Sequence, residues 1–388
     1  MTQQESTPMA EAMQLILENG FDGMGSAMSL LFNAAMQAER THVLGLNAPF
    51  ERSEGRKGYA NGFKPKTVNT RLGSLDLRIP QVRGDVSYYP SVLERGQRSE
   101  KAVKLAMAEA YIQGVSTAKV SKIFETLCGF EVSSTQVSDA AKKLDAELEY
   151  WRNSPLGHYM YLLLDARYEH VRVDGVVRSC ALFTAIGVDV MGHRKLLGTS
   201  VSLSEAEVHW RSFLSSLKLR GLHGMSMITA DEHKGIAAAL KAVFLGVPVQ
   251  RCQVHMQRNA AGYVPRLEMR SDVAKDIRSI FRAESRDEAE RLLKLTVSKY
   301  EKSASKLATW MEDNLPDGFT VFAMPEAHRR KVATTNLPES INKLIKKRTR
   351  VVGVFPSEAS LLRLASGMLA EIDDQWITEK AYMKKAIK

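Results

Sequence analysis

The feature that most constrains this chain is the run from Tyr159 to Asp165, an unbroken apolar and aromatic stretch that ends on a carboxylate. A stretch of this length and composition reads as a central strand buried on both faces. An acid at its end falls where a core opens to solvent. Met225 to Asp231, followed directly by Glu232, repeats the arrangement. A third acid, Glu339, stands just ahead of the basic run Lys343 to Arg350.

The segments around these strands supply the rest of a sheet and its covers. His170 to Val173 and Val176 to Val188 are separated by Asp174-Gly175, a hairpin dipeptide, and Lys195 to Leu203 gives a further strand. A helix is predicted from Ser204, with Glu207 at capping-box spacing and Val208, Trp210, Phe213, Leu214 and Leu217 on one face. Another helix covers Ile236 to Phe244, and Val247 to Arg251 returns as a strand. Strands in sequence, then helix–strand–helix–strand, describe a mixed sheet with helices packed on it, the order expected of an RNase H-like core. Residues 261–333 read as almost purely helical, an insertion between Asp231 and Glu339. From Leu337 a helix resumes, with Pro338 tolerated in its first turn. It turns Ile341, Leu344 and Ile345 inward and Lys343, Lys346, Lys347 and Arg350 outward. A last helix spans about residues 357–372, ahead of a basic tail from Lys384.

Upstream of the sheet the texture is different. Residues 1–48 show helical spacing at Met13, Leu15 and Ile16, and again at Met28, Leu31, Phe32 and Ala35; a helical hairpin and a dimer surface both fit. Between 49 and 99, Arg71 to Pro80 alternates like a hairpin strand, and Arg52, Arg56, Lys57, Lys64, Lys66, Arg71 and Arg78 are interleaved with Tyr59 and Phe63. A segment that follows a phosphate backbone and a small solvated β module give the same pattern. A helix begins at Ser99-Glu100-Lys101, carries Val103, Met107, Ala110 and Tyr111 on one face, and ends at Gly114. Ser116 then precedes the stripe Val120, Ile123, Phe124 and Leu127; Cys128-Gly129-Phe130 turns the chain, and Ser133 with Gln136 gives a second capping box. Two short helices joined by a tight turn fit a helix-turn-helix, although a plain helical hairpin leaves the same trace. On the exposed side of the second helix, Ser134, Thr135, Gln136, Ser138, Lys142 and Lys143 suit bases and phosphates.

The expected fold is therefore α+β and multidomain: a helical segment at 1–48, a basic β-containing module at 49–99, a helix-turn-helix domain at 100–150, a first core part at 151–260, an α-helical insertion at 261–333 and closing helices at 334–388. A chain of 388 residues can bury several cores. Its net charge of +10 favours a polyanionic partner without requiring one. Three cysteines, Cys128, Cys180 and Cys252, make no paired framework and point to a reducing compartment. The start lacks the basic region of a signal peptide, and no apolar run reaches the roughly 20 residues that span a bilayer. The expectation is a cytoplasmic, nucleoid-associated protein without a membrane partner.

Asp165, Asp231 and Glu339 are the residue types that phosphodiester chemistry with two Mg²⁺ ions needs, since Mg²⁺ takes hard oxygen ligands and keeps positions open for water and phosphate. Other roles fit the same residues: Asp231 as a cap of the following helix, Glu339 as a first-turn acid facing the helix dipole. From about Arg52 to Trp376, however, the sequence resembles the IS256 (Mutator-related) insertion-sequence transposases of bacteria. The resemblance is carried, in order, by residues 58–62, 70–80, 98–101, 111–117, 164–168, 228–231, 250–255, 334–341 and 348–353.

That resemblance implies an RNase H-like fold interrupted by a helical insertion, with Asp165, Asp231 and Glu339 as an Asp-Asp-Glu triad holding two Mg²⁺, Mn²⁺ being a substitute. Arg167 stands where a small or polar residue is usual. It further implies binding of double-stranded DNA at terminal inverted repeats, 3′-end nicking followed by strand transfer, and a copy-out–paste-in route through a circular intermediate. Holding two DNA ends calls for a homodimer or larger synaptic assembly. Cys252 and His255 match the Cys-x-x-His signature of these proteins. No second ligand pair accompanies them at zinc spacing, so two readings stand: structural support of the active site, or a phosphate contact by His255 and Arg258. Lys343, Lys346, Lys347, Arg348 and Arg350 read as DNA-backbone contacts, or as a solvated basic face. A missing triad acid would have favoured a silent DNA-binding regulator, and indifference to defined ends a nuclease without strand transfer; no acid is missing.

Overall fold

Between Lys143 and Leu144 the chain divides into two compact units. The computed structural model describes residues 7–47, 55–97, 99–113, 115–231 and 234–385. Arg52, Arg98, Gly114, Glu232 and the last three residues of the basic tail, all named above, lie outside the described residues.

The N-terminal unit opens with a helical hairpin, α1 (Pro8–Asn19) and α2 (Met24–Val43). Met28, Phe32 and Met36 of α2 pack on Val68, Leu75, Leu77 and Ile79 of an antiparallel β-hairpin, β1 (Tyr59–Thr70) and β2 (Gly73–Arg83). Met13, Ile16 and Ala35 from the expected apolar stripes stay exposed. Several of the basic residues of this segment make contacts within the chain. Arg78 lies over the Phe63 ring, Arg56 over Tyr59, and Arg71 pairs with Glu100.

Three helices complete this unit: α3 (Lys101–Ile112), α4 (Thr117–Cys128) and α5 (Ser134–Lys142). Ser116 caps α4 by accepting from Lys119 N, and Ser133 and Gln136 form the full reciprocal capping box on α5. The interior takes Val120, Phe124, Phe130, Val132, Val137, Ala140 and Ala141. Ile123 and Leu127, expected on the buried stripe of α4, are exposed instead. A pair of short helices meeting over one narrow seam covers only part of a four-residue stripe.

The C-terminal unit is α+β around a five-stranded mixed sheet. After α6 (Asp145–Asn153) come β3 (Tyr161–Val173), β4 (Val176–Val188) and β5 (Arg194–Ser202), an antiparallel meander. Asp174 (φ +50°) and Gly175 (φ +79°) form the two-residue turn between β3 and β4; two positive φ angles are what a type I′ hairpin turn requires. The helix α7 (Glu207–Leu219) leads to β6 (Met227–Ala230), and α8 (Lys234–Val243) to β7 (Val249–Arg251). Both β3–β6 and β6–β7 pair in parallel.

Leu162, Leu164, Phe183, Ile228 and Ala230 on one face of the sheet pack against Trp210, Phe213 and Leu214 of α7 and Ile236 and Leu240 of α8. Leu163, Leu182 and Ile186 on the other face pack against α14 (Asn336–Val352) and α15 (Glu358–Thr378). Between β7 and α14 lie α9 (Gln253–Ala260), α10 (Arg270–Phe281), α11 (Arg286–Tyr300), α12 (Ser305–Asn314) and α13 (Glu326–Val332). Helices α9 to α12 share a core of their own, around Met256, Ile277, Ile280, Leu307 and Met311.

Local chemistry accounts for the departures from expectation in this unit. Ser204 and Glu207 do not form a capping box: Ser204 accepts from Ala206 N, Glu207 pairs with Arg211, and α7 starts one turn late with Val208 exposed. Leu344 is 45% exposed rather than buried, and Asn342 and Thr349 take the inward places on α14. The closing helix runs past Ile372 to Thr378. Among the described residues no helix is long and apolar enough to cross a membrane.

Candidate active site

The sheet register sets the two aspartates side by side. In the parallel pairing, Tyr161 is level with Met227, Leu162 with Ile228 and Leu163 with Thr229. Carried two residues further, that register brings Asp165 level with Asp231, and partners in register on parallel strands point to the same face. β6 ends at Ala230, so β3 loses its neighbour on that side at the level of the acids. β3 itself does not end at Asp165. It continues to Val173, paired with β4 along its whole length, and Asp165 lies opposite Thr184.

Alternation along β3 explains the continuation. Leu163, Asp165, Arg167 and Glu169 share one face, and α14 covers it. Asn342 Nδ2 donates to Asp165 Oδ2 at 2.8 Å, Arg167 donates to the Asn342 carbonyl at 2.7 Å, and Thr349 donates to Glu169 Oε1 at 2.9 Å. Arg167 and Glu169 also pair with each other at 2.6 Å. The docking of α14 on β3 is thus polar along this stretch, with inward residues at helical spacing meeting strand residues at a spacing of two. This fixes the first turn of α14, where Glu339 sits; its N–H bonds the Thr335 carbonyl at 2.8 Å. Pro338 lacks an N–H only where a first-turn N–H would have no helical partner.

A third segment closes the site. Cys252 stands at the N-cap of α9, with His255 and Arg258 spaced along that helix. Its amide donates to Ala230 O at 2.9 Å, next to Asp231, while Gln253 N donates to Ala333 O at 3.1 Å, two residues before Thr335. Backbone bonds therefore tie the end of β6, the start of α9 and the approach to α14 at one point. There His255 Nδ1 faces Asp231 Oδ1 and His255 Nε2 faces Glu339 Oε1, each at 3.3 Å. Arg258 grips the Glu339 carboxylate with two nitrogens at 3.3 and 3.2 Å.

The electrostatics follow from this layout. Burial pushes the Asp165 carboxyl up to about 7, opposed by the charge of His255 and by the Asn342 and Ala166 hydrogen bonds. His255 is raised to about 9, first by its hydrogen bond with Cys252 and then by Asp231 and Glu339, against the effect of burial. At Cys252 burial acts to raise the thiol, but hydrogen bonds with His255 and Thr335 outweigh it and the net shift is downward. His255, whose basicity is raised, and Arg258 thus face the Asp231 and Glu339 carboxylates as partners of opposite charge.

Of the residues singled out in the sequence, Asp165, Asp231, Glu339, Cys252, His255 and Arg258 come together here. Lys343, Lys346, Lys347 and Arg350 lie on the exposed side of α14, and Arg348 is half-buried. Thr135, Gln136, Ser138, Lys142 and Lys143 belong to the N-terminal unit. There Thr135 is exposed, Ser138 is half-buried, Gln136 Oε1 is occupied by the cap, and Lys142 pairs with Asp139 at 2.8 Å. Sequence reasoning missed Asn342, Glu169, Thr349 and Thr335. Only Glu169 carried a signal, since Asp165, Arg167 and Glu169 alternate as strand residues do; the places of Asn342, Thr349 and Thr335 depend on partners far along the chain.

Comparison with known proteins places the chain. The family described as "Transposase, Mutator family" matches residues 1–379, which includes the N-terminal helices. The transposase for insertion sequence element IS406 of Burkholderia multivorans is 50% identical over 381 residues, covering 98% of each chain. That for ISRM5 of Rhizobium meliloti is 36% identical over 384 residues, covering 99% of this chain and 96% of the other. The transposase for IS256 in transposon Tn4001 of Staphylococcus aureus is 34% identical over 387 residues, covering 97% of each. The chain belongs to the Mutator family of transposases, as an IS256-family insertion-sequence transposase.

Proposed function

We propose that this transposase binds the terminal inverted repeats of its insertion sequence and performs Mg²⁺-dependent 3′-end nicking and strand transfer at Asp165, Asp231 and Glu339. The observation that carries the reading is the register of β3 and β6, which levels two aspartates on one face, with Glu339 presented to the same place by the first turn of α14. The strand order, with β4 antiparallel to both neighbours and β3, β6 and β7 parallel, is the order expected of an RNase H-like core, and α10 to α13 fit the helical insertion.

The donor set suits the metal. Three carboxylates offer hard oxygens, and beside Asp165 the buried Oδ1 of Asn342 has no hydrogen-bond partner. Two Mg²⁺ bound by the triad would lower the pKa of the attacking water, orient a DNA 3′-OH and stabilise the leaving oxygen of an in-line displacement. The chain's own residues position the acids: Asn342 holds Asp165, and Arg258 and His255 hold Glu339 and Asp231. No covalent protein–DNA intermediate is needed, so no serine or tyrosine nucleophile is assigned.

For DNA binding, α4 and α5 serve as a helix-turn-helix in which Thr135 and the free amide group of Gln136 read bases and Lys142 and Lys143 meet phosphates. The outward face of α14 clamps the DNA backbone through Lys343, Lys346, Lys347, Arg348 and Arg350. A homodimer or larger assembly pairs the two ends.

The deciding experiment is nicking and strand transfer on a labelled duplex carrying the element's own end, with Mg²⁺, with EDTA, and with Glu339→Gln. Mg²⁺-dependent transfer that disappears in the variant while DNA binding persists supports the reading. Nicking without transfer indicates a nuclease, and binding without chemistry in any metal indicates a regulator.

A further inference from the structure

Cys252 and His255 have no second zinc-type pair in the sequence, but the fold supplies them with a partner from far along the chain. Donor atoms of Cys252, His255 and Glu339 all lie within 4.8 Å of one another, the set of three metal-ligating side chains among the described residues that meets this spacing. Cys252 is buried, and His255 and Glu339 are half-buried.

Two features make this more than a chance cluster. The backbone holding it is fixed by the Cys252–Ala230 and Gln253–Ala333 bonds already described, so the sulfur and the imidazole, one helical turn apart, face Glu339 on a rigid frame. Thr335 also aims two donors at the sulfur, its N–H at 3.3 Å and its hydroxyl at 3.2 Å. Donors directed at a sulfur are what a metal-bound thiolate uses to stabilise its charge and fix its orientation. One sulfur, one imidazole nitrogen and one carboxylate oxygen form a three-ligand set with a fourth position open, which is zinc chemistry. Mg²⁺, which demands hard oxygens, has no use for the thiol.

We propose that Cys252, His255 and Glu339 form a zinc site that shares Glu339 with the Mg²⁺-binding carboxylates, so that bound zinc withdraws Glu339 and stops DNA cleavage. The zinc site stands on its own geometry; the inhibition rests on the proposed role of Glu339, and the test separates the two.

The metal-stripped full-length chain is titrated with Zn²⁺ against a chromophoric chelator in millimolar Mg²⁺. Co²⁺ serves as a second probe, through its thiolate charge-transfer absorption. We expect one equivalent of zinc, affinity reduced more than tenfold by Cys252→Ser and by His255→Gln, a smaller loss with Thr335→Val, and retention in Asp165→Asn. The cobalt band should vanish in Cys252→Ser, in which a hydroxyl still accepts the Thr335 donors. No zinc retained at micromolar concentration, or binding indifferent to Cys252→Ser and His255→Gln, or binding lost in Asp165→Asn, overturns the site. With the site established, zinc should abolish strand transfer by the wild-type chain and a zinc chelator should restore it. Zinc bound as expected with transfer undiminished overturns the inhibition and counts against Glu339 in the triad.

Discussion

Replacing Asp165 by asparagine should stabilise the metal-free protein while ending its chemistry. Burial raises the Asp165 carboxyl from 3.8 to about 7. A carboxyl whose folded value is raised contributes stability that is complete below 3.8 and is lost as the pH climbs through about 7. At about 1.4 kcal/mol per unit, the ionised side chain costs the folded state about 4 kcal/mol above neutral pH. At pH 5 the folded carboxyl is protonated and the remaining cost is under about 2 kcal/mol. Asparagine mimics the protonated form. Its oxygen can keep the Ala166 N–H, and a turn of the Asn342 amide would offer the unpartnered Oδ1 to the new amide hydrogens. The assay is thermal unfolding of wild type and Asp165→Asn in EDTA at pH 8 and pH 5, then with Mg²⁺. At pH 8 the variant's C-terminal unit should melt roughly 8–16 °C higher, at about 2–4 °C per kcal/mol. The gap should shrink by more than half at pH 5, and added Mg²⁺ should stabilise the wild type alone. A variant less stable at pH 8, or a gap independent of pH, would refute the reasoning that burial of an uncompensated charge dominates at this position.

Three further predictions follow from named contacts. Asn342→Ala removes the hydrogen bond that orients Asp165, so half-maximal strand transfer should need about tenfold more Mg²⁺ while DNA affinity holds, as a titration of rate against Mg²⁺ would show. Thr135→Ala should cost about 1–3 kcal/mol of discrimination between the element's end and random duplex, whereas Lys346→Ala or Lys347→Ala should weaken both alike and reduce the salt slope by about 1, read from binding isotherms at several ionic strengths. Gly235→Ala would place a Cβ 2.1 Å from the backbone oxygen of Glu205, a contact that no side chain can relieve, and should lower stability by about 1–3 kcal/mol in thermal unfolding.

What the sequence discloses about this protein is what neighbouring residues settle among themselves. The Asp174-Gly175 turn, the Ser133–Gln136 capping box and the burial of Tyr161 to Leu164 each depend on a few adjacent side chains, and all appear where the pattern puts them. Spacing fails where a distant partner competes. Ser204 and Glu207 have the separation of a capping box, but Arg211 one turn on takes the glutamate. Leu344 fits an apolar stripe, yet the face of β3 that α14 covers is polar at Asp165, Arg167 and Glu169, so Asn342 and Thr349 turn inward and the leucine turns out. The apparent end of β3 at Asp165 has the same origin. Arg167 and Glu169 look like a loop only while their partners on α14 are unknown.

The same limit governs the site. Two aspartates each closing an apolar run were visible as candidates because strand burial is local. That they stand level depends on the β3–β6 register, which no residue between them specifies. The link from Cys252 and His255 to Glu339 is further out of reach, because the helices α10 to α13 intervene and the bonds that close the gap, to Ala230, Ala333 and Thr335, exist only once the chain has folded. A search for a second Cys or His at short spacing therefore looks in the wrong place. The third donor is an acid already committed, on the proposed reading, to Mg²⁺, and one carboxylate facing both a soft and a hard donor set is where competition between two metals would arise.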